Sequence, residues 1–184
     1  MIKVSGILGK ALKGAMAGAA GTTALNAVTY MDMVVRGRGA SSTPEQVVEE
    51  LAKRAGLTIP GGAEVRQNRL EGLSALAGIA TGVTVGALAG PLQRPVRGLG
   101  PLAGPVAIGG AAMLATDLSM ARLGVSDPRT WDLTSWLSDI VPHLAYGAVV
   151  YAALAVLPPD RRRPGGSPCR AGFPAIRFAW AIPQ

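Results

Sequence analysis

Residues 72–93 read GLSALAGIATGVTVGALAGPLQ, a stretch without Asp, Glu, Lys or Arg. An α-helix rises about 1.5 Å per residue, so about 20 apolar residues cross the roughly 30 Å hydrocarbon core of a bilayer. Three more stretches without charged residues approach that length, at residues 14–31, 98–116 and 140–159. Four such stretches predict an all-α integral membrane protein with four transmembrane helices. The predicted spans cover about residues 10–34, 70–92, 100–122 and 138–158 of a single bundle, residues 1–158.

The composition agrees with a membrane protein that packs through small side chains. Hydrophobic residues make up 49% of the 184 residues and charged residues 16%, against about 25% charged in ordinary soluble domains. Aromatic residues account for only 4%, whereas there are 25 glycines. The net charge is +7, but the basic residues flank the apolar stretches and form no stripe interleaved with aromatics. This pattern favours the lipid bilayer as partner and argues against nucleic acid.

A short amphipathic helix is predicted between spans one and two, at about residues 44–55. Thr43 is a candidate N-cap, Pro44 suits the first helical position, and Gln46 completes a capping box. Gly56 can end the helix in the left-handed conformation. Two interpretations remain open: a helix that binds a partner or gates the bundle, and a helix that lies on the membrane surface or on the bundle ends. The second is the commoner arrangement for such helices.

The C-terminal residues 159–184 are rich in Pro, Gly and Arg and predict a disordered basic tail. Its run Arg161-Arg162-Arg163 suits anionic lipid on the cytoplasmic face. Slightly more Lys and Arg flank the spans on the side of the two termini than on the other side, so the positive-inside rule predicts cytoplasmic N and C termini. The bias towards Ala, Gly and Arg suggests a bacterial plasma membrane.

Span two carries glycines at four-residue spacing, which place hydrogen atoms alone along one face of the helix. This pattern lets another helix approach closely, and close contact drives association in lipid. The expected counterpart is an alanine face of span three with the same spacing, although association with a second copy of the chain or another membrane protein is an alternative. The predicted packing residues are Gly78, Gly82, Gly86 and Gly90 of span two and Ala103, Ala107, Ala111 and Ala115 of span three.

Polar residues gather at one end of the predicted bundle. Because the spans alternate in direction, the acids that end or precede them all lie on one membrane side. His143 follows Asp139 at i+4, so carboxylate and imidazole share one side of span four. One interpretation is an ion or proton site; the other is a ring of interfacial acids paired with Arg36, Arg69 and Arg122. The candidate site residues are Asn26, Asp32, Glu71, Asp117, Asp139 and His143.

No motif for chemistry stands out. The single cysteine, Cys169, excludes an intrachain disulfide and a multi-cysteine metal site. The spacing matches no zinc motif, nucleophile elbow or phosphate loop, so we expect no enzyme, no metal and no cofactor. The expected function is a structural or complex-assembly role in the plasma membrane. The alternative is a small proton- or cation-coupled transporter or channel subunit that uses the Asp139–His143 pair.

Overall fold

The computed structural model describes residues 2–156, with side chains from Gly6 onwards, and the predicted tail at 159–184 lies outside these residues. Between residues 2 and 156 the chain is helical and contains no strand, as the sequence predicts. A short 3-10 turn, Pro128–Thr130, precedes the last helix. The α-helices are α1 (Ile2–Arg36), α2 (Thr43–Arg54), α3 (Ala63–Ala89), α4 (Gln93–Gly98), α5 (Gly100–Leu123) and α6 (Leu133–Val156).

Three helices, α3, α5 and α6, are long and apolar enough to cross a membrane. The first predicted span, α1, is longer than any of them but does not belong to this group. Its middle is less apolar because Thr22, Thr23, Asn26 and Thr29 interrupt the alanines and glycines. The three threonine hydroxyls donate to backbone carbonyls four residues earlier in α1, at 2.9–3.1 Å, and so need no partner outside the helix.

The central position in the bundle belongs to α1, which packs along α3 on one side and along α6 on the other. The far side of α6 is covered by α5, and α3 and α5 touch only sparsely. Small side chains fill much of the core, as the composition predicts, together with a few large ones from α6. The buried core residues are Ala17, Ala89, Ile108, Ala112, Tyr146, Val150 and Leu154.

The glycine face of α3 lies against α1. A Cβ atom added at Gly86 would overlap the backbone of Gly14 and Gly18, and one at Gly90 would overlap the backbone of Lys10. At Gly82 an added Cβ would meet the Thr22 side chain. These two backbones therefore approach to a distance that no larger side chain would allow.

This arrangement corrects the predicted partner of the glycine face, which was the alanine face of α5. The alanines at positions 103, 107, 111 and 115 are exposed, and open space surrounds Gly78. The physical reason is that α1 carries glycines of its own, Gly14 and Gly18, and two facing glycines permit a closer approach than glycine facing alanine. On α5 a different set faces α6: Gly109 lies against the His143 carbonyl, and Gly147 of α6 lies against the Pro105 carbonyl.

The amphipathic helix α2 lies across one end of the bundle and contacts α3 and α5. Arg66 of α3 pairs with Glu49, and Arg54 donates to the Leu123 carbonyl at the end of α5, at 3.1 Å. This placement agrees with the interpretation that the helix rests on the bundle ends. Its start differs from the predicted capping box, because Ser42 is the N-cap and receives the Gln46 side-chain amide at 3.0 Å.

Candidate functional site

Two buried titratable side chains and one partly buried one lie where α5 ends and α6 begins; we call Asp117, Asp139 and His143 the acid cluster. Asp117 is 8% exposed and His143 is 9% exposed, and the Asp139 side chain is 19% exposed. Asp117 lies near enough to interact electrostatically with both Asp139 and His143. The sequence predicts the Asp139–His143 pair from its spacing and places Asp117 only on the same membrane side. The structure adds Asp117 to the pair.

Asp139 holds the imidazole of His143 through two contacts, one from its backbone carbonyl and one from its carboxylate. Its Nδ1 lies 2.8 Å from the Asp139 backbone carbonyl oxygen and 3.2 Å from Asp139 Oδ1. Because a carbonyl oxygen only accepts hydrogen bonds, Nδ1 carries a hydrogen and donates. Pro142, buried in the same turn, has no N–H, so the helix leaves the Ser138 carbonyl without its usual amide donor. The ring is thus fixed in one orientation by its own helix.

Two carboxylate oxygens of the acid cluster are buried without a hydrogen-bond partner among the described residues: Asp117 Oδ1 and Asp139 Oδ2. Buried polar atoms in native proteins are nearly always satisfied, since an unpaired one costs roughly 1–3 kcal/mol and a charged one costs more. Each of these oxygens is therefore an acceptor site for a proton, a water molecule or a bound ion. No three His, Cys, Asp or Glu side chains within residues 2–156 converge closely enough to hold a metal ion.

The other predicted acids lie apart from the cluster. Asp32 accepts hydrogen bonds from Arg36 at 3.3 Å and from Arg38 at 2.5 Å, as the ring of paired interfacial acids predicts. Glu71 is exposed near the start of α3, and Asn26 is half-buried on α1. Neither is hydrogen-bonded to the acid cluster in the part of the chain that the structure describes. The interpretation as paired acids thus suits Asp32 and fails for Asp117, which no arginine pairs with among residues 2–156.

A groove lies between α1 and α6 near the acid cluster, and none of the three cluster residues lines it. Arg36 Nη1 donates to Ser138 Oγ at 2.7 Å and so links the two helices at the groove mouth. The groove is walled by apolar Val28 and Val141 and reaches Pro142, the neighbour of His143 in the chain. In this hydrogen bond Ser138 Oγ is the acceptor, and its own O–H remains a donor.

Sequence reasoning missed a buried hydrogen bond that ties α6 to α3. The Tyr146 hydroxyl donates to the Gly82 carbonyl at 2.6 Å, and Tyr146 is almost fully buried. Its position three residues after His143 on one helix face is the signal that was available. At the opposite end of the bundle, the buried Gln93 side chain donates to the Leu154 carbonyl.

No protein family, no curated protein and no solved structure matches the chain.

Proposed function

We propose that this chain is a multi-pass plasma-membrane protein that moves protons or monovalent cations through the acid cluster of Asp117, Asp139 and His143. The observation that carries the proposal is the pair of buried, unpartnered carboxylate oxygens on Asp117 and Asp139. Ionisable side chains inside a membrane are costly and commonly mark ion or proton pathways. The contact with His143 engages Oδ1 of Asp139 and leaves Oδ2 open to a proton, a water molecule or an ion.

The depth of the cluster supports the proposal. Trp131 and Trp136 stack edge to face, with ring centroids 5.3 Å apart, around the first turn of α6. Tryptophan residues are enriched at the membrane–water interface. His143 follows Trp136 by two turns of helix, which is roughly 10 Å further along the axis. An interfacial position of the aromatic pair would put the imidazole below the interface, which supports the proposal.

The proposal includes α1 as a fourth span with both termini in the cytoplasm. In its favour, α1 lies between α3 and α6, and the hydroxyls of Thr22, Thr23 and Thr29 are satisfied within the helix. Without it, the glycine face of α3 would lose its neighbour.

Two experiments test membrane insertion and topology. Extraction of membranes with alkaline carbonate should leave the chain in the membrane fraction. Reporters at the N terminus and after Arg163 should be cytoplasmic, with a reporter at Gly61 outside. A Gly61 reporter on the same side as the N terminus would remove α1 from the spans.

Flux in reconstituted liposomes tests the transport proposal. The wild type should move protons or monovalent cations, whereas Asp139→Asn and His143→Ala should abolish flux while thermal melts show a folded protein. Asp127→Asn is the matched control, because Asp127 is an exposed carboxylate just before the 3-10 turn, outside the cluster. Absence of wild-type flux across several cations and pH values would refute transport.

The second candidate is a structural or complex-assembly role, with a second copy or another membrane protein as partner. Its supporting observation is the exposed small-residue face of α5, which includes Ala107, Gly110 and Ala111. Such a face permits close approach by another helix. Under this proposal Ala111→Ile should change the size of the detergent complex and leave any flux intact. Under both proposals the chain is not an enzyme and binds neither a cofactor nor nucleic acid.

A further inference from the structure

We infer that the species bound at the acid cluster is a proton carried on Asp117, and that Asp139 and His143 form the ion pair that positions it. This inference rests on the proposed function for the identity of the site and names its ligand. It differs from the sequence-based hypothesis, in which Asp139 and His143 themselves are the carriers.

The charges within the cluster distinguish its two carboxylates. Asp139 contacts the only imidazole of the chain at 3.2 Å, so a doubly protonated His143 balances its negative charge. Asp117 has no such cationic partner: its charged neighbours are the same His143, already engaged, and the like-charged Asp139. Two buried carboxylates that face one cation cannot both stay ionised cheaply. The neutral arrangement is an Asp139–His143 ion pair beside a protonated Asp117.

Burial and the lack of a hydrogen-bond donor both indicate Oδ1 of Asp117 as the atom that carries the proton. Asp117 is more than nine-tenths buried, and its Oδ1 has no donor among the described residues. A proton on this oxygen removes the charge and supplies a hydrogen-bond donor. The buried Oδ2 of Asp139, also unpartnered, is an acceptor that a bridging water molecule would connect to it. One proton therefore accounts for both unpartnered oxygens. In the step itself, an O–H bond of hydronium breaks to leave water as the O–H bond at Asp117 forms, and the reverse transfer to water releases the proton.

The donor set suits a proton better than a metal ion or an alkali cation. No three metal-ligating side chains converge within residues 2–156. Hard cations such as Ca²⁺ take about six to eight oxygen ligands, and the cluster offers two unpartnered carboxylate oxygens. The charged groups of α1 near α6 pair with one another, since Asp32 pairs with Arg36 and Arg38, and Arg36 also donates to Ser138 Oγ of α6.

Infrared spectroscopy of the purified full chain in detergent tests this inference. During a pH titration, the wild type should show the carbonyl stretch of a protonated carboxylic acid that disappears at alkaline pH. Asp117→Asn should lose this band, Asp127→Asn should keep it, and Asp139→Asn should keep it with an altered titration. Persistence of the wild-type band in Asp117→Asn would overturn the assignment.

Thermal melts supply a second readout. Asparagine has nearly the shape of a protonated aspartate, so Asp117→Asn should fold with a Tm close to that of the wild type and with a weaker dependence on pH. A variant that fails to fold would contradict the inference, because it would mean that the negative charge itself is needed. Addition of Na⁺, K⁺ or Ca²⁺ should not raise the wild-type Tm. A cation-specific rise that Asp117→Asn abolishes would identify a cation as the ligand.

The infrared and flux experiments separate the two proposals. If the band depends on Asp117 but liposomes show no flux, transport is refuted and the proton site stands. If liposomes carry a cation current that needs Asp139 while no band depends on Asp117, transport stands and the proton assignment is refuted.

Discussion

The α1–α3 and α5–α6 interfaces use the same means of close packing and differ in what they bury. In both, a glycine lets one backbone approach the other: Gly86 faces Gly14 and Gly18, and Gly109 faces the His143 carbonyl. The α1–α3 contact at these glycines involves backbone atoms alone. The α5–α6 contact also encloses Asp117 and His143, two of the four polar or charged residues buried in the described part of the chain.

This difference indicates that packing does not require the acid cluster. Two helices of this chain already associate closely without buried charge, and uncharged residues of similar volume in place of a buried ion pair are often neutral or stabilising. Asp117 and His143 therefore add a cost that α1 and α3 avoid. A site that keeps such a cost is where we expect function, and the predictions below test the contrast from the larger effect to the smaller.

The largest expected effect comes from Gly86→Ile, which would force the backbones of α1 and α3 apart. Overpacking of a close contact costs about 1–3 kcal/mol and sometimes more, and here the obstructing atoms are backbone atoms that cannot rotate away. We expect a markedly lower Tm in detergent. Gly78→Ile is the matched control, because it lies two turns earlier in α3 with open space around it. Equal melts for the two variants would mean that the glycine contact does not hold α1.

The next effect concerns the hydrogen bond that joins the two interfaces. Tyr146→Phe removes the hydroxyl that donates to the Gly82 carbonyl and should lower the free energy of unfolding by about 0.5–1.5 kcal/mol. Tyr30→Phe, at an exposed position of α1, should change it very little. Denaturant titration in mixed micelles measures both. An unchanged midpoint for Tyr146→Phe would show that this bond contributes nothing to the bundle.

How far the sequence predicts these interfaces depends on the kind of information each one needs. Apolar stretches and local capping predict α2 and α5 within about one residue, because helix length and capping are properties of the segment itself. The helices α3 and α6 begin several residues before the predicted spans, since their first turns carry polar residues that the apolar stretches leave out. The partner of the glycine face needs tertiary information. Both the alanines of α5 and the glycines of α1 have suitable spacing, and only the arrangement of all helices selects α1.

How much of the candidate site the sequence predicts depends on the same difference between local and tertiary information. The Asp139–His143 contact is local, at i+4, and the sequence predicts it. The approach of Asp117 depends on how α5 rotates against α6, which Gly109 and Gly147 determine through backbone contact. Spacing along one helix cannot reveal that rotation. The same limit explains why Asp32 and Asp117, which both end a predicted span, differ in the structure: one pairs with arginines and the other is buried.

A smaller effect is expected where α2 rests on the bundle. Arg66→Gln removes the ion pair with Glu49, in which both side chains are partly exposed. Exposed pairs contribute about 0–1 kcal/mol and weaken with salt. We expect faster hydrogen exchange in α2 at low salt and a smaller difference from the wild type at high salt. Arg129→Gln, at a highly exposed arginine before α6, is the control. A salt-independent change would point to lost packing instead.

The smallest expected effect is a pH dependence at the start of α6, outside the acid cluster. Asp132 Oδ1 accepts the Ser135 backbone N–H at 2.7 Å, and hydrogen bonds from Ser135 hold the pKa of Asp132 below its usual range despite an opposing effect of burial. A carboxyl whose folded pKa is lowered stabilises the fold above its unfolded pKa, about 3.9, and loses that contribution as the pH falls through the folded pKa. The first turn of α6 should therefore loosen only in acid. Asp132→Asn keeps a capping oxygen without a titratable group, so its melts should vary less between pH 5 and pH 2 than those of the wild type. Equal slopes would assign the acid sensitivity of this end to other carboxylates.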